Sequence, residues 1–354
     1  MPHLRPARRL AAAVLAAAAL GMASTGATAS ATVGTTASAG GGFRILDDRI
    51  EESSGLALSR AHPHTVWTAN DSGDSARIFA VDTRTGKTVG VHSFGAPVVD
   101  VEALAVTPQG RVLVADIGDN ARSREVVRVF WFDEPALGTT SGGWASWELT
   151  YPDGPHDAES IAVDPTTGRV VIVTKSADGG VYALPEKPSR QGVNRLERLA
   201  DAPATATDAV FLGDGSALAV RTYTQLVLLD PTSWRPLVSA LLPLQRQGET
   251  IALAPGADQG LLVGSEGSRS PVQQVTVPAT PVASPSSAAT RAATPAPSAS
   301  TSGPSAGPIT GPGQAPDATP PVNRAQLVAG LGGSVALVLV ALLATRLARR
   351  AQRR

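Results

Sequence analysis

An all-β propeller of five blades is what this sequence predicts, and three observations carry the prediction. A short motif recurs five times at a blade-sized period, each interval divides into brief β-like runs, and no amphipathic helical pattern lies between them. The motif is an acidic or polar residue, small residues and then an apolar run. It occurs as Ser54-Gly55-Leu56-Ala57, Glu102-Ala103-Leu104-Ala105, Glu159-Ser160-Ile161-Ala162, Asp208-Ala209-Val210-Phe211 and Glu249-Thr250-Ile251-Ala252. The spacings are 48, 57, 49 and 41 residues, and periods in the forties are those of propeller blades. Six blades is the alternative count if one unit is too degenerate to read. A two-sheet sandwich also has many short strands, but it does not call for the same Ala-Val or Ala-Leu first strand five times.

In chain order, residues 1–31 read as a secretory signal. Arg5, Arg8 and Arg9 precede the apolar run Leu10 to Met22, and Ala27-Thr28-Ala29 or Ala29-Ser30-Ala31 offers a small-residue cleavage site. Residues 32–42, rich in Gly, Ala and Thr, read as a flexible leader. The propeller is expected over 43–276. Its second unit divides into runs at Glu102 to Thr107, Arg111 to Ile117, Val126 to Phe132 and Ser146 to Thr150, separated by turn residues such as Pro108-Gln109-Gly110. The last unit supplies only three runs before the composition changes. Phe43-Arg44-Ile45-Leu46 is expected to complete that blade and close the ring, removing an exposed sheet edge.

From 277 to 324 the chain is nearly all Pro, Ala, Ser, Thr and Gly, a composition that cannot bury enough surface to order itself and serves as a spacer. Residues 325–345, Ala325 to Thr345, form 21 uncharged residues, long enough to cross a hydrocarbon core of about 30 Å as a helix. Arg346, Arg349, Arg350, Arg353 and Arg354 follow in the tail, 346–354. Positive charge marks the cytoplasmic side of a span, so the expected topology is single-pass in the cell membrane, with the propeller extracellular and the C-terminus cytoplasmic. There is no cysteine, so an exported domain of this kind gains its stability from core burial alone.

The formal net charge of zero conceals an asymmetry: 29 Asp and Glu against 20 Lys and Arg lie between Phe43 and Thr276. An acidic domain repels phosphate backbones, which excludes nucleic acid as an expected partner. The expected partners are the membrane, through the span, and an extracellular protein or small molecule.

In an antiparallel blade the start of the first strand and the end of the second share one face of the disc. The starts carry Glu102, Glu159, Asp208 and Glu249. The ends carry Asn70-Asp71, Asp116, Lys175 and Arg221, with Asp119, Asn120 and Arg122 just beyond Asp116. The opposite face has ordinary turns. Innermost strands line the central channel, so the carboxylates are expected to converge there. They would then ligate a hard cation such as Ca²⁺, pair with Arg122, Lys175 and Arg221 in a structural network, or bind a cationic or polyhydroxylated ligand. No cofactor motif is complete, and Ca²⁺ is the one candidate ion. Turn formation by Asp, Gly and Asn is by itself a sufficient account of Asp116-Ile117-Gly118-Asp119-Asn120 and of Asn70-Asp71-Ser72-Gly73.

The stretch from Glu52 through Pro135, with the segments just quoted and Asp100-Val101-Glu102-Ala103-Leu104-Ala105, resembles exported actinobacterial proteins of the propeller or WD-repeat-like kind. More distantly it is similar to bacterial propellers of the phytase and gluconolactonase type. The resemblance implies architecture and, from the more distant type, central carboxylates that hold Ca²⁺; no WD signature dipeptide is present. Gly-x-Ser-x-Gly is absent, and the chain after the signal has only His62, His64, His92 and His156, of which His156 alone stands on the acidic face, where a general base near Glu159 is conceivable. The leading functional reading is a non-catalytic binding or scaffold propeller at the cell surface. The alternative is a Ca²⁺-dependent extracytoplasmic hydrolase of a phosphate ester, lactone or sugar-derived substrate.

Overall fold

In the computed structural model the innermost strand of every blade is covered on both faces: five of its six residues are buried, the polar ones included. The structure describes residues 35–37, 39–256 and 260–278, all within the compact unit Met1–Ser286. The expected signal peptide, membrane span and basic tail, and the stalk beyond Pro278, lie outside the described residues.

The described chain opens with β1 (Thr35–Thr36) and β2 (Ala39–Arg44), whose partners come from the far end of the domain. Blade 1 comprises, from inside out, β3 (Ser53–Leu58), β4 (Thr65–Asn70), β5 (Arg77–Asp82) and β6 (Thr88–Ser93). Blade 2 comprises β7 (Val101–Val106), β8 (Arg111–Asp116) and β9 (Val127–Asp133), detours through β10 (Gly138–Ser141) and ends in β11 (Ala145–Thr150). Blade 3 comprises β12 (Ala158–Val163), β13 (Val170–Thr174) and β14 (Gly180–Ala183), detours through β15 (Val193–Arg195) and ends in β16 (Glu197–Asp201). Blade 4 comprises β17 (Ala206–Phe211), β18 (Leu218–Thr222), β19 (Gln225–Leu229) and β20 (Pro236–Leu241). Blade 5 comprises β21 (Gly248–Leu253), β22 (Gly260–Ser265) and β23 (Pro271–Thr276), and β2 is its fourth strand, with Phe43 opposite Val272 and Arg44 opposite Pro271. The paired strand begins at Ala39, inside the segment read from sequence as leader.

The five-bladed propeller is therefore the observed fold, and its inner strands neighbour one another in the cyclic order β3, β7, β12, β17, β21 and back to β3. Each interface between blades holds its own hydrophobic core. Trp67 and Ile78 pack against Leu104 and Phe130 between blades 1 and 2, and Leu113 and Leu149 against Ile161 and Tyr182 between blades 2 and 3. Val171 and Val181 meet Leu218 and Val220 between blades 3 and 4, and Leu226 and Leu228 meet Leu261 and Val263 between blades 4 and 5. Leu262 and Val272 meet Leu56 and Phe79 between blades 5 and 1. Stability by core burial without disulfides is thus distributed over five contacts rather than one centre.

The three short strands absent from the sequence reading pair in parallel with outer strands: β10 with β6, β15 with β11 and β1 with β20. Each covers an edge whose free N–H and C=O groups would otherwise invite pairing with another chain. Glu134, just past β9, ties blade 2 to blade 1. It accepts hydrogen bonds from the buried Trp67 indole (2.7 Å), from the Ser59 hydroxyl and from the amides of Arg60 (3.2 Å) and Ala61 (3.0 Å). First-to-second turns in blades 2, 3 and 4 place Gly110, Gly168 and Gly215 at φ of 74°, 74° and 73°, a left-handed backbone that glycine adopts without penalty.

Candidate functional site

Every inner strand carries a β-bulge near its start, where its register against the second strand slips: between Ser54 and Leu56, Val101 and Ala103, Ala158 and Ser160, Ala206 and Asp208, and Gly248 and Thr250, which leaves Gly55, Glu102, Glu159, Thr207 and Glu249 out of the pairing. A bulge re-aims a side chain out of the regular pleat. Here the motif residues Glu102, Glu159, Asp208 and Glu249 are buried with Ser54 at one end of the channel. The mouth they form divides into two chemically different halves.

On the side of blades 3 to 5, cations answer the carboxylates. Lys175 Nζ lies 2.7 Å from Glu159 Oε1, with both side chains buried, and 5.4 Å from the centre of the Tyr223 ring. Burial pulls the Lys175 ammonium down, but Glu159, Glu249, Tyr223 and Glu102 outweigh it and hold the group well above the usual lysine range. Arg221 is fully buried, donates to Thr250 O at 2.7 Å and to Gln245 Oε1, and fits only because residue 248 is glycine: a Cβ there would lie 2.0 Å from the guanidinium. Burial holds the guanidinium down to about 10, against the pull of Glu249 and Asp208, and it is still cationic at neutral pH. Asp208 accepts backbone N–H groups from Ala209 and Ile251, each at 2.8 Å, and Glu249 accepts from Gln247 Nε2 at 3.1 Å.

On the side of blades 1 and 2, acids meet acids. Asp71, Asp100 and Glu102 each bring one carboxylate oxygen within 4.8 Å of the others. Glu102 is 1% exposed; its Oε2 accepts from the Ser54 hydroxyl at 3.1 Å, and its Oε1 is buried with no hydrogen-bond partner among the described residues. Gly118 keeps the space open, since a Cβ there would sit 2.6 Å from both Asp100 Oδ2 and Glu102 Oε1. Burial, followed by Glu159, Asp71 and Asp100, pushes the Glu102 carboxyl well above its usual range.

The remaining sequence candidates serve the scaffold around this mouth. Asp116, fully buried, pairs with Arg124 at 3.1 Å and accepts the amide of Asp100 at 2.8 Å, which fixes the segment carrying Asp100. Asp119 accepts the Arg124 amide at 2.6 Å, and its own amide donates to Asp157 at 2.8 Å. Asn70 accepts from the amides of Glu51 (3.1 Å) and Glu52 (3.2 Å) and donates to Arg49 O (2.8 Å) and Asp74 (2.7 Å). Asn120 is exposed. Arg122, expected among the charge partners of the channel, pairs instead with Asp178 at 3.5 Å on the surface. Its backbone is left-handed, φ 49°, as the turn closed by its amide on Asp119 O carries the side chain outward. His156, considered beside Glu159, has its Nε2 at 3.0 Å from Asp153 and 3.1 Å from the Tyr182 hydroxyl. Asp100, Arg124, Ser54 and Gly118 were not singled out from sequence as site residues. Strand alternation offers no signal here, because Asp100 precedes β7 and Glu102 stands at its bulge.

The pairing on the cationic side yields a direct test. Lys175→Met leaves Glu159 buried without a counter-charge and is expected to cost about 3–5 kcal/mol, while Lys175→Met combined with Glu159→Gln is expected to recover most of it. Urea denaturation of the two variants measures both, and a single variant as stable as the parent would remove the ion pair from the account.

Comparison with protein-family models finds no match, and comparison with curated proteins finds none. Among solved structures the chain is similar to regucalcin of Agrobacterium tumefaciens strain C58, described as a calcium-binding protein. The identity is 14% over 70% of this chain and 98% of that one, with a TM-score of 0.40.

Proposed function

We propose that the protein is a cell-surface, membrane-anchored binding propeller whose channel mouth holds a divalent cation, Ca²⁺ by its chemistry, between Asp71, Asp100 and Glu102. The observation that carries this reading is the partnerless buried oxygen of Glu102 beside Asp100 in the space left by Gly118. Carboxylates crowded in a buried site repel one another and drive each other toward the neutral form unless a cation compensates. An all-oxygen set of hard donors suits Ca²⁺, which takes six to eight oxygens and tolerates irregular geometry. In the scaffold reading the three carboxylates would hold the ion that anchors an extracellular ligand; in the hydrolase alternative the ion would supply Lewis-acid polarisation of a phosphate ester, lactone or sugar-derived substrate. Turnover of such a substrate that stops on chelation would favour the alternative.

Calcium is expected to raise the melting temperature of the protein, with a gain of about 2.7 kcal/mol at a hundredfold excess over Kd. Glu102→Gln with Asp100→Asn is expected to abolish that gain. The pH dependence has a definite sign. Glu102 titrates above its unfolded value, so without metal its carboxyl ionises first in the unfolded chain. Stability should then fall as pH rises from about 4.3 toward the raised folded value, and bound calcium should remove this decline by holding the carboxylate ionised. A melting temperature indifferent to calcium at every pH would overturn the proposal.

The same reading assigns topology and closure. The propeller stands outside the membrane on a Pro/Ser/Thr/Ala stalk, so protease added to wall-free cells should cut between Val277 and Arg324 and release it; a protected propeller with a cleaved tail would reverse the orientation. The N-terminal strand closes the ring by completing blade 5. Deleting Phe43 to Asp48, which includes the buried Ile45, should cost several kcal/mol, at roughly 1.5–3 kcal/mol per buried side chain. An unchanged denaturation midpoint would leave the closing role without support.

A further inference from the structure

The other end of the channel is apolar. At or next to the last position of each inner strand, Leu58, Val106, Val163, Val210 and Leu253 are half-buried and line a cavity of about 300 Å³. Its wall reaches inward to Leu56, Leu104 and Ile161, two residues from Ser54, Glu102 and Glu159, and among the described residues contains no acidic side chain. Arg60, in the first-to-second turn of blade 1, is the one charged residue lining it among the described residues. Glu134 accepts the Arg60 backbone amide at 3.2 Å; among the described residues no ion pair engages the Arg60 guanidinium. Pro108 and Pro165 take the matching places in blades 2 and 3 and stiffen the rim.

An apolar chamber with a single polar group at its mouth selects ligands with an apolar body and one complementary head. Guanidinium pairs best with a planar carboxylate, to which it donates two parallel hydrogen bonds. The chamber is enclosed by inner strands from all five blades, so it admits a chain and not a folded surface. We propose that it binds an aliphatic monocarboxylate, the hydrocarbon in the ring of five aliphatic side chains and the carboxylate on Arg60. This site is separate from the cation site, and either can fail without the other.

The test uses the full-length protein in lipid nanodiscs, irradiated with a diazirine analogue of decanoic acid, with adducts located by peptide mass spectrometry. Adducts are expected to concentrate on peptides carrying Leu58, Val106, Val163 and Leu253. Decanoate should compete and decanol should compete about tenfold more weakly, as befits one lost charge-assisted hydrogen-bonded pair. Val163→Asp should remove the labelling; should it unfold the protein in a melting assay, Leu253→Gln takes its place. Arg60→Ala should weaken competition by decanoate about tenfold and leave decanol unchanged, while Glu102→Gln should leave the labelling intact. Adducts scattered over the surface, or surviving either rim substitution in folded protein, would overturn the site. Equal competition by decanol and decanoate in the parent would overturn the ligand class.

Discussion

Five inner strands packed around one axis deliver whatever their bulges carry to the same small volume. A bulge recurs near the start of each inner strand; it carries a buried acid in blades 2, 3 and 5, and in blade 4 Asp208 is buried one residue beyond it. Burying several like charges together is among the costliest arrangements a fold can hold, so the rest of this end of the propeller is organised by how each acid is answered. Glu159 is answered by Lys175, Asp208 by two backbone N–H groups, and Glu249 by Gln247 and the nearby Arg221.

The answer depends on what the second strand of each blade places opposite the bulge. Blades 3 and 4 end their second strands in or beside Lys175 and Arg221, and these cations reach inward. Blades 1 and 2 end theirs in Asn70-Asp71 and Asp116. Asp116 has a cation of its own, Arg124, but that arginine is spent on Asp116 and on the carbonyls of Gly118 and Asp116 (2.8 and 3.2 Å), which leaves Glu102 with a hydroxyl from Ser54. The local excess of negative charge therefore follows from blade-by-blade differences at one structural position. The glycines divide the same way: Gly248 makes room for the Arg221 guanidinium, whereas Gly118 leaves room beside two carboxylates.

The blade repeat was legible in the sequence because a buried inner strand needs small and branched residues at fixed places, and that requirement recurs every blade. The placement of Glu102, Glu159 and Glu249 followed from the same periodicity, whereas Asp208 stands one residue past the matching position, which Thr207 holds. What escaped depends on loop geometry, for which the sequence holds no period. Arg122 and Asn120 lie one turn past a strand end, and a left-handed residue at Arg122 sends its side chain to Asp178. Arg124, two residues on, turns back to Asp116. Asp100 precedes its strand and owes its position to the amide hydrogen bond with Asp116, a contact between residues 16 apart. The strands β10 and β15 have no strand-like composition of their own, reading Gly-Thr-Thr-Ser and Val-Asn-Arg; the neighbouring edge supplies the reason for pairing.

The apolar end of the channel illustrates a further limit on sequence pattern. Leu58, Val106, Val163 and Leu253 end runs that are otherwise fully buried, and in the sequence nothing separates them from the core residues before them. Only closure of the ring distinguishes the two groups. Residues earlier in each run are fully buried, whereas these last ones pack against the inter-blade cores on one side and stay half-buried at the lumen on the other. Five blades leave room at the centre for a lumen, and a lumen walled by hydrocarbon retains water poorly because it offers that water few hydrogen-bond partners. The same closure that forces acids together at one mouth thus leaves an apolar chamber at the other, with the inner strands setting the distance between them.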